Sequence, residues 1–329
     1  MDGQGAEMSE IVIRRSRVRR MLRFCIERFP PVPQLILVAL LVISGMTMAV
    51  TMWAPAQAVD ALPLDLWTVV VTLVGGGLFI FRLRVFDDVK DAETDRITAP
   101  ERPIPRGLIS EREADLLAAV LLVGEAAVFA SVGSLALVWW SIAAIYTLGM
   151  RVEFGIGSWL DRHVLTYAVS HMVCLGLVLP ALIGAGIEAM DMANGRHVLD
   201  VMASTGILLA CVSAVLLGTG FELGRKFERY ELAHGTLAWW ASFMFPVGGI
   251  ATMMLGIHNS YGTATLVTTG LIAIAAIAGG ITMIIRRPRG SIDWPSHRTL
   301  RDTVEALPGI AGLGTYLTLA IAGCMAASW

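Results

Sequence analysis

The chain has 329 residues, of which 56% are hydrophobic and only 16% charged, with a mean hydropathy of +0.68. A soluble domain carries about 25% charged residues, so a water-soluble globule is excluded, and apolar runs along the whole length exclude a globule with a single anchor. The net charge of −2 decides nothing more, because the charges are segregated along the chain, and no nucleic-acid partner is expected.

Residues 10–28 ("EIVIRRSRVRRMLRFCIER") alternate basic and apolar positions. Two readings stay open for this stretch: an amphipathic helix on anionic cytoplasmic lipid, or a basic tail that sets topology. We take 1–30 as a basic cytoplasmic segment and 31–329 as one membrane domain. No cleavable leader is expected, because the first apolar run is about as long as a full span and no small-residue cleavage site follows it. Cys25, Cys174, Cys211 and Cys324 are scattered, so neither a disulfide framework nor a zinc site is implied.

A bilayer core needs about 20 apolar residues per helix. The candidates in chain order are 33–53, 66–86, 114–132, 134–150, 164–185, 202–222, 236–256, 263–285 and 307–327. The third and fourth are separated only near Gly133, which predicts an antiparallel helical hairpin. With the N-terminus inside, the cytoplasmic segments 1–32, 82–113, 151–163, 223–235 and 286–306 carry 7, 7, 2, 3 and 5 Lys or Arg residues, 24 of the 25, and the outside segments hold only Arg196. This bias supports nine spans with the C-terminus outside. The expected architecture is all-α and integral to the membrane, a bundle of nine helices around a central cavity that opens at the cytoplasmic face. A bacterial inner membrane is the expected location.

The second span runs into "DDVKDAETDRITAPERPIPRG". If the helix continues past the membrane face, Asp87, Asp91 and Asp95 form a stripe at i, i+4 and i+8, with Asp88 beside Asp87. Like charges at this spacing repel, so a cation is expected on the stripe. Carboxylates without nearby His or Cys suit Mg2+, which is held by a few carboxylates plus substrate phosphates. The competing reading is a solvated acidic turn balanced by Lys90, Arg96 and Arg102. Pro100, Pro103 and Pro105 end the helix, and the loop they stiffen could bring Arg102 and Arg106 to phosphate oxygens.

Asp87-Asp88-x-x-Asp91-x-x-x-Asp95 followed by Arg102-Pro103-Ile104-Pro105-x-Gly107 resembles the first signature of the UbiA-type intramembrane prenyltransferases. The resemblance covers nearly the whole chain after residue 30. That family carries a second motif, D-x-x-x-D, at the end of span six. Here Glu222 stands at its first position and Lys226 at its last, with Arg225 alongside, and this "FExxRK" stretch resembles a bacterial branch of the superfamily. The resemblance implies that Asp87, Asp88, Asp91, Asp95 and Glu222 hold one or two Mg2+ ions. It also implies that Arg102, Arg106, Arg225 and Lys226 contact a diphosphate. A basic group in place of one acid could replace part of a metal's charge neutralisation, which leaves the number of ions open.

The implied activity is transfer of a prenyl group from a prenyl diphosphate to an aromatic or other lipophilic acceptor, with the leaving diphosphate stabilised by Mg2+. Terpene cyclisation or transfer of another diphosphate-activated group is the nearest alternative. A transporter with an acidic ion site is an alternative of another class, although such sites lie at mid-membrane on broken helices. Tyr146, Tyr167 and His171 are weaker candidates for lining the cavity, since polar residues within spans are functional by default. Interhelical hydrogen bonding accounts for Tyr167 and His171 equally well. Glu125 lies within span three without an evident partner.

Overall fold

The computed structural model describes residues 3–53, 65–190, 202, 204–225, 236–257, 270, 314, 315 and 317. All regular elements among them are helical: α1 Gly3–Arg28, α2 Pro31–Trp53, α3 Leu66–Lys90, α4 Ala92–Thr98, α5 Glu111–Val132, α6 Ser134–Arg151, α7 Gly157–Leu160, α8 Val164–Ala189, α9 Thr205–Arg225 and α10 Thr236–Ile257, with a 3-10 turn at Glu153–Gly155. Seven of these match expected spans to within a few residues at each end. The expected spans at 263–285 and 307–327 and the basic loop 286–306 lie outside the described residues.

Among the described residues, five helices (α3, α5, α6, α8 and α9) are long and apolar enough to cross a membrane. Their outer surfaces agree with that role. Leu116, Val120 and Val123 make an exposed stripe on α5, and Val138, Ile142 and Ile145 make one on α6. Such stripes are unfavourable in water and cost nothing against lipid tails.

The chain divides into two units, one of Met1–Val38 with Leu73–Val128 and one of Ala39–Thr72 with Phe129–Trp329. In the first, Phe24 of α1 is fully buried in a cluster with Phe81, Val85 and Phe86 of α3, Ile104 and Ile109 of the following loop, and Ala118 of α5. The start of α5 is fixed by a capping box: Ser110 Oγ accepts from the Glu113 N–H at 3.2 Å, and Glu113 Oε2 accepts from the Ser110 N–H at 2.8 Å. That backbone N–H, with the Ser110 hydroxyl, holds the Glu113 carboxyl below its ordinary range.

In the second unit, α8 packs against α6 and α9, and α9 against α10. Small residues set these approaches. A Cβ on Gly176 would come within 2.8 Å of the Cys211 carbonyl oxygen of α9, and Ser213 Oγ donates to the Gly249 carbonyl of α10 at 2.7 Å. Gly133 alone separates α5 from α6, and its backbone is extended rather than strained. What it needs is space, because the Glu188 carboxylate occupies the volume a Cβ would take. Glu188 accepts from the Leu135 N–H at 2.8 Å and the Ala136 N–H at 3.3 Å, so a residue of α8 satisfies the unpaired amides at the start of α6.

Gly133→Val should therefore displace Glu188 and uncap α6, at a cost of about 1–3 kcal/mol. Thermal unfolding of the detergent-purified protein checks this; a midpoint equal to wild type would mean that the connection adjusts freely.

Candidate functional site

The acidic motif lies at the end of an apolar helix and the start of a short one. α3 ends at Lys90, Asp91 forms a turn, and α4 resumes at Ala92. The break is slight: the Asp91 N–H donates to the Asp87 carbonyl at 2.9 Å and the Asp95 N–H to the Asp91 carbonyl at 2.8 Å. The i, i+4, i+8 register expected for Asp87, Asp91 and Asp95 is thus kept in the backbone across the turn. Asp88 and Asp95 are each 5% exposed, while Asp87 and Asp91 are half-buried. Asp91 precedes α4 but its carboxylate does not cap it.

Three proline-stiffened turns follow. Arg102 donates from Nη1 to Asp95 Oδ2 at 2.5 Å, so the arginine loop folds back onto the motif as the sequence suggested. Gly107 closes the loop at φ 75°, a left-handed conformation that other residues adopt only under strain. Its N–H donates to the Ile104 carbonyl at 2.9 Å, and the Leu108 N–H donates to the Pro103 carbonyl at 2.9 Å. Arg106 does not reach the acidic motif; it donates to Glu27 of α1 at 2.6 Å and to the Glu101 carbonyl at 3.0 Å. Arg96 pairs with Glu111 at 2.7 Å. Of the cations expected to balance the turn, Arg102 therefore does so directly.

Two contacts were not foreseen from the sequence. Arg28, the last residue of α1, grips Asp88 with two N–H groups, Nε to Oδ2 at 2.5 Å and Nη2 to Oδ1. Arg82 of α3 pairs with Glu125 of α5, Nε to Oε1 at 2.6 Å and Nη2 to Oε2 at 2.9 Å, with both side chains wholly buried. The Arg82 guanidinium also lies 5.3 Å from the Phe79 ring centroid and 5.2 Å from that of Phe86. Arg82 is thus an interior residue of α3, within the expected span 66–86, and is neutralised by a buried acid. The signal that could have found it was Glu125 itself, an acid inside a span that had to have a basic partner.

The donor set fits a hard divalent cation, since the motif supplies four carboxylates and neither His nor Cys. Among the described residues, no three His, Cys, Asp or Glu side chains converge closely enough to hold a metal ion. Asp88 and Asp95 carry guanidinium groups instead. A cation at this motif has to draw carboxylates away from arginines or share its coordination with substrate oxygens.

In the second unit, Glu222 is buried near the end of α9, Arg225 is the last residue of that helix, and Lys226 lies outside the described residues. Tyr146 of α6 donates its hydroxyl to the Ser170 carbonyl of α8 at 2.7 Å, an interhelical bond. Tyr167 and His171 stack at 4.0 Å, one helical turn apart on α8, and His171 Nδ1 lies 2.9 Å from the Tyr167 carbonyl oxygen. The loop before α8 passes through Glu153 and Phe154 at φ 49° and 54°, with the Phe154 ring 5.2 Å from that of Tyr146.

Comparison with known proteins places this geometry in context. Residues 46–293 match the model of the UbiA prenyltransferase family. A solved structure of digeranylgeranylglyceryl phosphate synthase is 15% identical at a TM-score of 0.61, covering 93% of this chain and 99% of its own. The apo structure of a UbiA homologue from Aeropyrum pernix K1 is 16% identical at a TM-score of 0.58, covering 85% of this chain and 97% of its own. A UbiA homologue from Archaeoglobus fulgidus bound to DMAPP and Mg2+ is 14% identical at a TM-score of 0.54, covering 90% of this chain and 98% of its own. Comparison with curated proteins gives no match.

The buried pair supplies a stability test. Arg82→Met should destabilise the protein by about 3–5 kcal/mol by removing the guanidinium that neutralises buried Glu125, whereas Arg82→Met with Glu125→Leu should recover most of the loss. Thermal midpoints of the two variants decide it, and a double variant no better than the single one would show that the pairing is not the cause.

Proposed function

The chain belongs to the UbiA prenyltransferase family, and from that premise we propose that it moves a prenyl group from a prenyl diphosphate to a lipophilic acceptor at the cytoplasmic face of the membrane. The observation that carries the reading is the partly buried acidic motif at the end of an apolar span with an arginine loop folded onto it, joined through Arg102 and Asp95. Carboxylates next to guanidiniums suit a cation–diphosphate pair, and the apolar span suits a prenyl tail. The Archaeoglobus fulgidus homologue bound to DMAPP and Mg2+ supports the same donor class and metal.

In this reading Asp87, Asp88, Asp91 and Asp95 hold one or two Mg2+ ions, and Arg102 and Arg106 bind diphosphate oxygens. Glu222, Arg225 and Lys226 are assigned to the same two tasks by their place in the second motif. The bound metal supplies Lewis-acid stabilisation of the departing diphosphate. The arginines add charge-assisted hydrogen bonds that strengthen as negative charge gathers on the leaving group. Tyr146, Tyr167 and His171 border the prenyl or acceptor space, where aromatic faces stabilise developing positive charge and apolar neighbours keep water out. We further propose nine spans in one bundle, with the N-terminus cytoplasmic in a bacterial inner membrane.

Asp91→Ala and Asp95→Ala should each lower diphosphate release from prenyl donors by about 100-fold or more, with membrane insertion unchanged, and chelation of divalent cations should stop release by the wild type. Detergent-purified protein with donors of several chain lengths provides the assay. Wild-type release by both variants would remove the metal reading, and product analysis with and without added acceptor separates transfer from cyclisation.

A further inference from the structure

The last turn of α1 carries an acid and a base in succession, and each is engaged with an opposite charge that the proposed reaction needs. Arg28 holds Asp88 through two N–H groups. Glu27 accepts from Arg106 at 2.6 Å and from Arg23 at 2.8 Å. The Arg23 guanidinium first, and then that of Arg106, hold the Glu27 carboxyl below its ordinary range. Asp88 is among the carboxylates assigned to the cation, and Arg106 is among the guanidiniums assigned to the diphosphate.

α1 is anchored, so these contacts are placed by the fold. Phe24 is fully buried in the cluster formed with α3, α5 and the arginine loop. Phe29 lies 5.1 Å from Phe81, centroid to centroid. Arg20 reaches the Leu108 carbonyl at 3.5 Å and Glu113 at 3.6 Å. The Arg28 side chain is 12% exposed and that of Asp88 5%. Arg28 engages both oxygens of this buried carboxylate, so a cation that approaches Asp88 meets a group already neutralised and competes with the guanidinium for it.

We propose that Arg28 is a further site residue, an internal competitor that neutralises Asp88 until a divalent cation takes the carboxylate. Glu27 is its counterpart, occupying Arg106 until a diphosphate does. This rests on the assignment of Asp88 and Arg106 to a cation–diphosphate site. No covalent step is involved; one ion pair is exchanged for another. The consequence is that α1 sets how much divalent cation the protein requires.

The test is Mn2+ binding to the full chain in detergent, followed by electron paramagnetic resonance without a prenyl donor. Removing a competitor tightens binding, whereas loosening a structural support leaves it unchanged or weakens it. Arg28→Gln should bind Mn2+ about fivefold or more tightly than wild type. Equal or weaker affinity overturns the proposal. If Arg28→Gln fails to fold, Arg28→Lys keeps the charge and loses the two-pronged grip, and it must shift affinity in the same direction; no shift, or weaker binding, again overturns it. Mn2+ binding by none of these proteins, with no diphosphate release by the wild type, sinks the functional reading and this proposal together. Mn2+ binding at equal affinity by all of them sinks this proposal alone.

Discussion

A charge within a membrane-spanning helix persists only beside a partner at hydrogen-bond distance, and the Arg82–Glu125 pair meets that demand for the helix that carries the acidic motif. Both side chains are wholly buried, with two N–H···O contacts between them and two aromatic rings of α3 near the guanidinium. The pair is weak evidence for net stability, because desolvating two ions offsets much of their attraction. Its effect is on orientation. Rotating α3 about its axis would pull Arg82 from Glu125 and break a wholly buried ion pair. The azimuth of α3 is therefore fixed five residues before Asp87, and the directions in which Asp87 and Asp88 leave the helix follow from it.

With α3 fixed, the rest of the first unit reads as successive neutralisation of the acidic motif. Repulsion among the clustered carboxylates is relieved locally for Asp95 by Arg102, seven residues on, and at long range for Asp88 by Arg28, sixty residues back. The prolines and Gly107 act on the same outcome through the backbone, because a loop that could extend would carry Arg102 away from Asp95. The capping box at Ser110 and Glu113 then starts α5 immediately beyond the loop. Local chain stiffness and long-range charge pairing thus support one arrangement.

The sequence made the spans legible because each is an apolar run bounded by charge, proline or glycine, and those signals are local. Leu66–Lys90 and Ser134–Arg151 fall within a few residues of where hydropathy puts them. The acidic motif was legible for the same reason, its spacing lying within nine residues. The pairings were not. Arg82 and Glu125 are 43 residues apart and belong to different helices, and a charge count along the chain assigns an arginine near the end of a span to the loop by default. Arg28 was hidden in a basic run where six other arginines serve topology equally well, and nothing in its neighbours marks it as the one that meets Asp88. The role of Gly133 was legible only as a short connection; that Glu188 fills the space beside it depends on packing that no local pattern encodes.

The two halves of the α1 contact differ in burial, and the difference has a consequence for how a cation and a diphosphate depend on each other. The Arg28 and Asp88 side chains are 12% and 5% exposed, whereas those of Arg106 and Glu27 are 34% and 30% exposed. Exchange at Arg106 is inexpensive, since Glu27 stays partly solvated and keeps its bond to Arg23. Exchange at Asp88 is not, because a cation arriving alone strands the Arg28 guanidinium in a poorly hydrated position with its acid gone. An anion that arrives with the cation removes that penalty by giving the guanidinium a new partner. If Arg28 and Glu27 compete for the site charges as proposed, burial at one end of α1 favours entry of the two charges together over entry of either one, with no moving part required beyond two side chains.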